Sequence, residues 1–208
     1  YNLVRGIQWN ATLTLSDNGG QTWQPPIHVI RWPDRPYVKY ASNGRDRIDL
    51  AYTEGSPVSA SNSIYHVYLQ NGVLHRSDGT PVATLGGTTP IEPPQGTVVY
   101  RFGSVYSNAN TWIWDLVLDR METPVIVHLV RISPQDHRYF YATYDRKLKV
   151  WTSREAVRGG GGLCLPKEPS YSGGIVLDPQ EPSRIYVSTP IDARTGQPTE
   201  HREIYTGT

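Results

Sequence analysis

Three side chains in this sequence have both the functional groups and the setting for chemistry: His66 in NSIYHVY, Arg131 at the end of PVIVHLVR, and Tyr171 in EPSYSGG. Imidazole exchanges protons near neutral pH, a guanidinium grips a carboxylate through two parallel hydrogen bonds, and a positioned phenol moves a proton to or from a reacting group. Each has a structural alternative. A strand histidine also faces solvent or bonds a neighbouring sheet, an arginine that finishes an apolar face also forms an ion pair, and a loop tyrosine also packs its ring. Alternation through 124–131 places Val125, Val127, Leu129 and Arg131 on one face of a strand.

Aromatic groups accompany them. Trp112 and Trp114 alternate with Ile113, which sends both indoles to one strand face, where they either stack on sugar rings or pack between sheets. Tyr37, Lys39, Arg35 and His137 are weaker candidates for ligand contact, each with a solvated or packing role as the alternative, and Asn62 and Glu168 could orient neighbours. His28, His75, His128 and His201 have no assignable partner. No H-E-x-x-H, phosphate loop or G-x-S-x-G occurs, and no local spacing of His, Asp and Glu supports a metal site.

The elements that must position these groups are short strands. The 208 residues include 14 Tyr and 6 Trp against 2 Phe, with 19 Gly and 17 Pro. Aromatics suit pleated, half-buried surfaces, while Gly and Pro interrupt helices. Strands are expected at 9–15, 26–31, 36–41, 47–53, 63–69, 97–102, 112–118, 124–131, 138–144, 147–151, 174–177, 184–189 and 201–206, with one helical turn at most, at 153–157. Asn71-Gly72 suits a hairpin between Leu69 and Val73, and Asp145-Arg146-Lys147 connects Tyr144 to Leu148. The stretches 86–96 and 158–162 read as surface loops. Strand groups recur every ~40 to 50 residues, the length of a four-stranded propeller blade.

The net charge of +1 gives no case for nucleic acid or an anionic membrane surface, and no run approaches the length of a membrane-spanning helix. A single cysteine, Cys164, excludes an internal disulfide. Asn10-Ala11-Thr12 fits a glycosylation sequon. The chain opens on Tyr1 and enters strand-like sequence at once, which reads as a processed or partial chain.

One turn is diagnostic. Ser16-Asp17-Asn18-Gly19-Gly20-Gln21-Thr22-Trp23 fits S-x-(D/N)-x-G-x-T-W, the Asp-box, in which short polar side chains bond turn amides and the tryptophan is expected to fold back between strands as a plug. Together with Arg5-Gly6, Trp9, RPYVKYASNGRDRIDLAYTEG (35–55), NSIYHVYLQNGVLHRSDGTPV (62–82), WIWDLVLD (112–119), HRYFYATYD (137–145), EPSYSGGIVLDP (168–179) and HREIYTG (201–207), it resembles the bacterial-neuraminidase-repeat propellers. More narrowly, the chain is similar to the branch that includes ulvan lyases and L-rhamnose-α-1,4-D-glucuronate lyases.

That resemblance implies an all-β fold, a β-propeller of four-stranded antiparallel blades. About four blades would fit residues 1–208 as a single domain, part of a seven-bladed propeller whose other blades are missing or supplied by a second chain. It implies an extracellular or periplasmic protein acting on an acidic polysaccharide, with no firmly implied cofactor, although some relatives hold calcium or zinc. The reaction it implies is β-elimination next to a uronic acid. Arg131 would then neutralise the carboxylate, His66 and Tyr171 would move the protons, and Trp112, Trp114, Tyr37, Lys39 and His137 would contact sugar. One departure bears on activity: relatives commonly carry a histidine where this chain has Ser56, and an unassisted serine hydroxyl is too weak an acid to replace it. The same scaffold also serves a non-catalytic sugar-binding protein or a sialidase-like hydrolase, the latter needing paired carboxyls or a Tyr/Glu pair.

Overall fold

The computed structural model describes residues 2–5, 7–58, 61–163 and 169–207; Cys164 and Glu168 lie outside them. Among the described residues, apart from two short 3₁₀ turns at Ile7–Trp9 and Pro93–Gln95, the regular structure is entirely β. Sixteen strands in these residues form four antiparallel meander sheets. The first joins β1 (Asn2–Arg5), β2 (Ala11–Thr14) and β3 (Ile27–Ile30). The second runs through β4 (Val38–Ser42), β5 (Arg47–Thr53), β6 (Ile64–Gln70), β7 (Val73–Arg76) and β8 (Pro81–Thr84). Its sixth strand, β9 (Thr97–Tyr100), pairs with the first half of β6. The third contains β10 (Asn110–Leu118), β11 (Pro124–Ser133), β12 (Asp136–Asp145) and β13 (Val150–Gly160), and the fourth β14 (Ile175–Leu177), β15 (Ile185–Ile191) and β16 (Pro198–Gly207).

Alternation along these strands builds three apolar layers, one between each successive pair of sheets. Leu50 and Tyr52 of β5 face the layer shared with Leu13 and Ile30 of the first sheet. Ala51, between them in sequence, faces the layer shared with Ile113, Ile126 and Phe140 of the third. On β11, Val125, Val127 and Leu129 turn the other way and meet Ile175 and Val187 of the fourth. A strand covered on both faces is apolar on both, which is why 124–130 is hydrophobic except for His128, whose ring nitrogens lie 3.0 Å from Thr111 Oγ1 and 2.8 Å from Ser153 Oγ.

Each expected strand has a counterpart, with three additions and some corrections to bounds and turns. β1, β7 and β8 carry too little pattern over four residues each to be seen in sequence. The expected helical turn at 153–157 and the start of the expected loop at 158–162 are instead strand: β13 continues through them to Gly160. β13 pairs on one side only, with β12, so its charged residues project to solvent along an edge. The Asn71-Gly72 hairpin holds, both residues adopting positive φ (51° and 75°), whereas the next expected turn falls later, at Arg146–Lys149, between β12 and β13.

The turn at 16–23 links β2 to β3 and is closed by its own side chains. Gly20 N donates to Ser16 Oγ (2.8 Å) and Thr22 N to Asn18 Oδ1 (3.0 Å). Trp23 does not plug the space between strands: its indole lies against Gly20 and stays 47% exposed. The sequon at Asn10 is likewise structural, because the Asn10 side chain is buried, accepting a hydrogen bond from Trp32 N (3.0 Å) and donating to Gln8 O (3.2 Å).

Candidate functional site

In each meander the same ends of the strands come together. The segment before β4, the β5–β6 and β11–β12 connections, the start of β10 and the segment before β14 gather there. Three aromatic rings from three sheets meet at this end. The Tyr37 ring stands edge-on to Trp112 with centroids 5.0 Å apart, and Tyr171 lies on the same indole at 4.7 Å. Tyr37 is held by a pair of bonds to Thr53, which accepts from Tyr37 N through Oγ1 (3.2 Å) and donates its own N–H to Tyr37 O (3.0 Å). Tyr171 is 43% exposed, so the cluster opens to solvent.

Arg131 belongs to the same face of the third sheet as Trp112. In the register, Trp112 lies opposite Leu129, and Arg131, two residues further on, lies opposite Asn110 on one side and His137 on the other. Diagonal neighbours of this kind are ~7–8 Å apart, within reach of long side chains. The sequence expectation that Val125, Val127, Leu129 and Arg131 share a face is therefore met, and it brings Arg131, His137, Trp112, Tyr37 and Tyr171 to one region. His137 is buried there. Lys39, on β4, is exposed, and Trp114 packs over Gly174, where an added Cβ would lie 3.2 Å from its Cζ3.

His66 is elsewhere. It lies opposite Ala51 in the layer between the second and third sheets, 0% exposed, with Nε2 2.9 Å from Asp49 Oδ1 and Nδ1 2.9 Å from Ser77 Oγ. Trp151 Nε1 donates to the same Ser77 oxygen (2.9 Å), and Arg47 grips Asp49 through Nε and a terminal nitrogen, both at 2.7 Å. Burial pulls the Asp49 carboxyl upward, but the hydrogen bonds from His66 and Arg47, with their charges, outweigh it and hold the carboxyl below the usual carboxylate range. The imidazole is thus enclosed, with the Trp151 ring of the third sheet 5.3 Å from its own, and this burial corrects the expectation that it moves protons at an open site.

Asn62 orients its neighbours as the sequence suggests, whereas Tyr139 and Glu54 are not singled out by the sequence. Asn62 exchanges two bonds with Gly55 (2.8 Å each) and donates its backbone N–H to Asn110 Oδ1 (2.7 Å), tying the β5–β6 connection to the start of β10. Tyr139, buried on β12, accepts from Gly174 N (2.7 Å) and lies 2.9 Å from Ser172 Oγ, which fixes the segment following Tyr171. Glu54 accepts from Ser63 N (2.5 Å) and Tyr65 Oη (2.6 Å). Burial, and then this bond to Glu54, push the Tyr65 hydroxyl up to about 12. Glu54, Asn62, Ser172 and Gly174 lie in connections, which carry no periodic signal, so only the assembled sheets reveal these partners. Among the described residues no group of three or more His, Cys, Asp or Glu is placed to hold a metal ion.

No family model matches the chain, and no curated protein does. Among the solved structures similar to it are two of an ulvan lyase of polysaccharide lyase family PL25, one of them bound to -[GlcA(1-4)Rha3S]-. Each is 13% identical, with a TM-score of 0.59 over 96% of this chain and 50% of the other. The likeness is one of fold, and the chain spans about half the length of the lyase whose fold it shares.

Proposed function

We propose that this chain is part of a secreted β-propeller that cleaves a uronic-acid-containing polysaccharide by β-elimination at the Tyr37–Trp112–Tyr171 cluster. The observation that carries the reading is the convergence of those rings from three sheets, with Arg131 diagonal to the central indole. The four meander sheets, stacked through three apolar layers, suit blades of such a propeller. The solved lyase structure bound to -[GlcA(1-4)Rha3S]- suggests glucuronate next to sulfated rhamnose as the first substrate to try.

In this reading the indole of Trp112 stacks on a sugar ring and Arg131 pairs with the uronate carboxylate. The C5 proton is weakly acidic, and neutralising the carboxylate stabilises the enolate that forms when it leaves. A base removes that proton, the C4=C5 double bond forms as the C4–O4 bond breaks, and O4 takes up a proton. Tyr171, exposed beside the indole, is the proton-transferring group of the cluster. His66 is replaced in this role because its ring is enclosed; its part is to hold the second and third sheets together.

The test is to incubate the protein with glucuronate-rhamnose-3-sulfate polymer and follow the ultraviolet absorbance of the unsaturated uronate. Tyr171→Phe should remove the signal, and Arg131→Ala should lower kcat/KM by ~10²–10³, the effect of removing one donor to a developing oxyanion. Wild-type absorbance that never rises, whatever uronate polymer is supplied, sinks the lyase reading. A second reading, a sugar-binding protein without turnover, is favoured by one observation: His66 and His137 are both fully buried, and Ser56 stands on the β5–β6 connection in place of a further histidine. Glycan binding with no unsaturated product would select it.

A further inference from the structure

Beside Tyr37, at the same end of the sheets, the surface opens into a hollow of about 740 Å³. Trp9 walls it on one side, Arg31, Trp32 and Arg35 between β3 and β4 on another, and Glu92 on a third. Arg35 is two residues from Tyr37, so along the chain the hollow begins within ~7 Å of the aromatic cluster.

Its composition and its backbone both set it apart. Two indoles and two guanidinium groups face one carboxylate, and Trp9 is 56% exposed. Among the described residues Arg31 forms no ion pair. Gln8, Trp9 and Arg35 all adopt left-handed φ (55°, 62° and 62°), a conformation that bulky side chains rarely accept and that persists where the surroundings enforce it, often at ligand clamps. The enforcement is visible. The buried Asn10 amide ties Gln8 O to Trp32 N (3.2 and 3.0 Å), Arg35 N donates to Trp32 O (3.3 Å), and Arg31 N donates to Ile91 O (3.0 Å), which brings the Glu92 wall alongside. A rigid hollow with one exposed and one half-buried indole for the apolar face of a sugar ring and cations for its acid group is built for an anionic sugar.

We propose that this hollow is an outer subsite that binds an acidic sugar unit further along the same glycan chain. The inference rests on the reading above, since it extends the Tyr37–Trp112–Tyr171 site to a longer ligand. Arg31 and Arg35 pair with the carboxylate or sulfate, the Trp9 and Trp32 indoles take the ring, and Glu92 accepts from sugar hydroxyls.

The experiment is calorimetric titration with an octasaccharide of alternating glucuronate and rhamnose-3-sulfate and with its desulfated form, alongside the ultraviolet product assay. Arg31→Ala and Trp9→Ala should each weaken octasaccharide binding roughly tenfold, the first by losing a charge-assisted contact and the second by losing a ring contact. Lys147→Ala, which removes an exposed cation at the opposite end of the sheets, should leave the affinity unchanged. A deficit of Arg31→Ala confined to the sulfated ligand assigns the cations to sulfate, and an equal deficit with both assigns them to the carboxylate. Octasaccharide affinity within twofold of wild type in the Arg31→Ala, Trp9→Ala double variant, or an equal loss in Lys147→Ala, overturns the subsite. If product forms in that case, the lyase reading stands without it. If binding depends on Arg31 but no product forms, the subsite stands and the lyase reading falls; a wild-type protein that neither binds nor cleaves sinks both.

Discussion

At the scale of single residues, the histidines divide by burial rather than by sequence context. His66, His128 and His137 are all buried, and each sits in a strand where a histidine reads equally well as a cleft residue. What separates them is their partners. His128 lies between Thr111 Oγ1 (3.0 Å from Nδ1) and Ser153 Oγ (2.8 Å from Nε2), with no carboxylate among these neighbours, and burial lowers its pKa from 6.5 to about 3. Hence the sign of its pH effect. Between those values the unfolded chain binds a proton that the native protein refuses, so the contribution is fully present above pH 6.5 and is lost as pH falls toward 3. Ordinary carboxylates stay charged down to pH ~5, so the fall between pH 6.5 and 5 belongs to imidazoles, and the part removed by His128→Gln should amount to roughly 1–2 kcal/mol. Urea midpoints at the two pH values, in wild type and in His128→Gln, measure it. The variant keeps hydrogen-bonding capacity and should lose most of the pH dependence; equal losses in both proteins would refute the assignment.

At the scale of elements, strands were the most legible part of the sequence and the connections that build the site the least. β5 was placed to the residue because it combines β-branched and aromatic positions with a clear turn on each side. β13 was cut short because Arg154, Glu155 and Ala156 favour helix, and only its pairing with β12 holds them extended. Arg131 and Trp112 were found by alternation, a local property. That Tyr37 and Tyr171 would cover the same indole was not accessible, because it depends on how three sheets stack. Those connections are also tightly apposed. A Cβ added to Gly55 would overlap the carbonyl oxygen and Cβ of Asp34, in the segment that carries Arg35 and Tyr37. Gly55 is itself clasped by Asn62, so neither side has room to yield. Gly55→Ala should therefore destabilise the fold by about 1–3 kcal/mol and weaken the glycan binding proposed above, because the overlap falls on backbone rather than on a movable side-chain tip. Thermal melting and the calorimetric titration check both; an unchanged melting temperature would mean that the two segments separate freely.

At the scale of the whole molecule, stability is arranged in layers and decreases toward the last sheet. β11 is buried from Pro124 to Val130, with apolar layers on both faces and a paired strand on each side. β16 pairs only with β15 and is largely exposed, with Ile204 at 78%. An exposed edge carrying an apolar residue invites pairing with another strand. Amide exchange distinguishes an open edge from a covered one, because amides exchange through local opening whose cost follows the contacts around them. On its own, this chain should exchange slowly in β11 and β12 and fast in β16, independently of protein concentration. If β16 is instead protected as strongly as β11, a further strand covers it, and the concentration dependence identifies the source. Protection that disappears on dilution comes from a second copy, whereas protection that survives dilution contradicts the layered gradient itself.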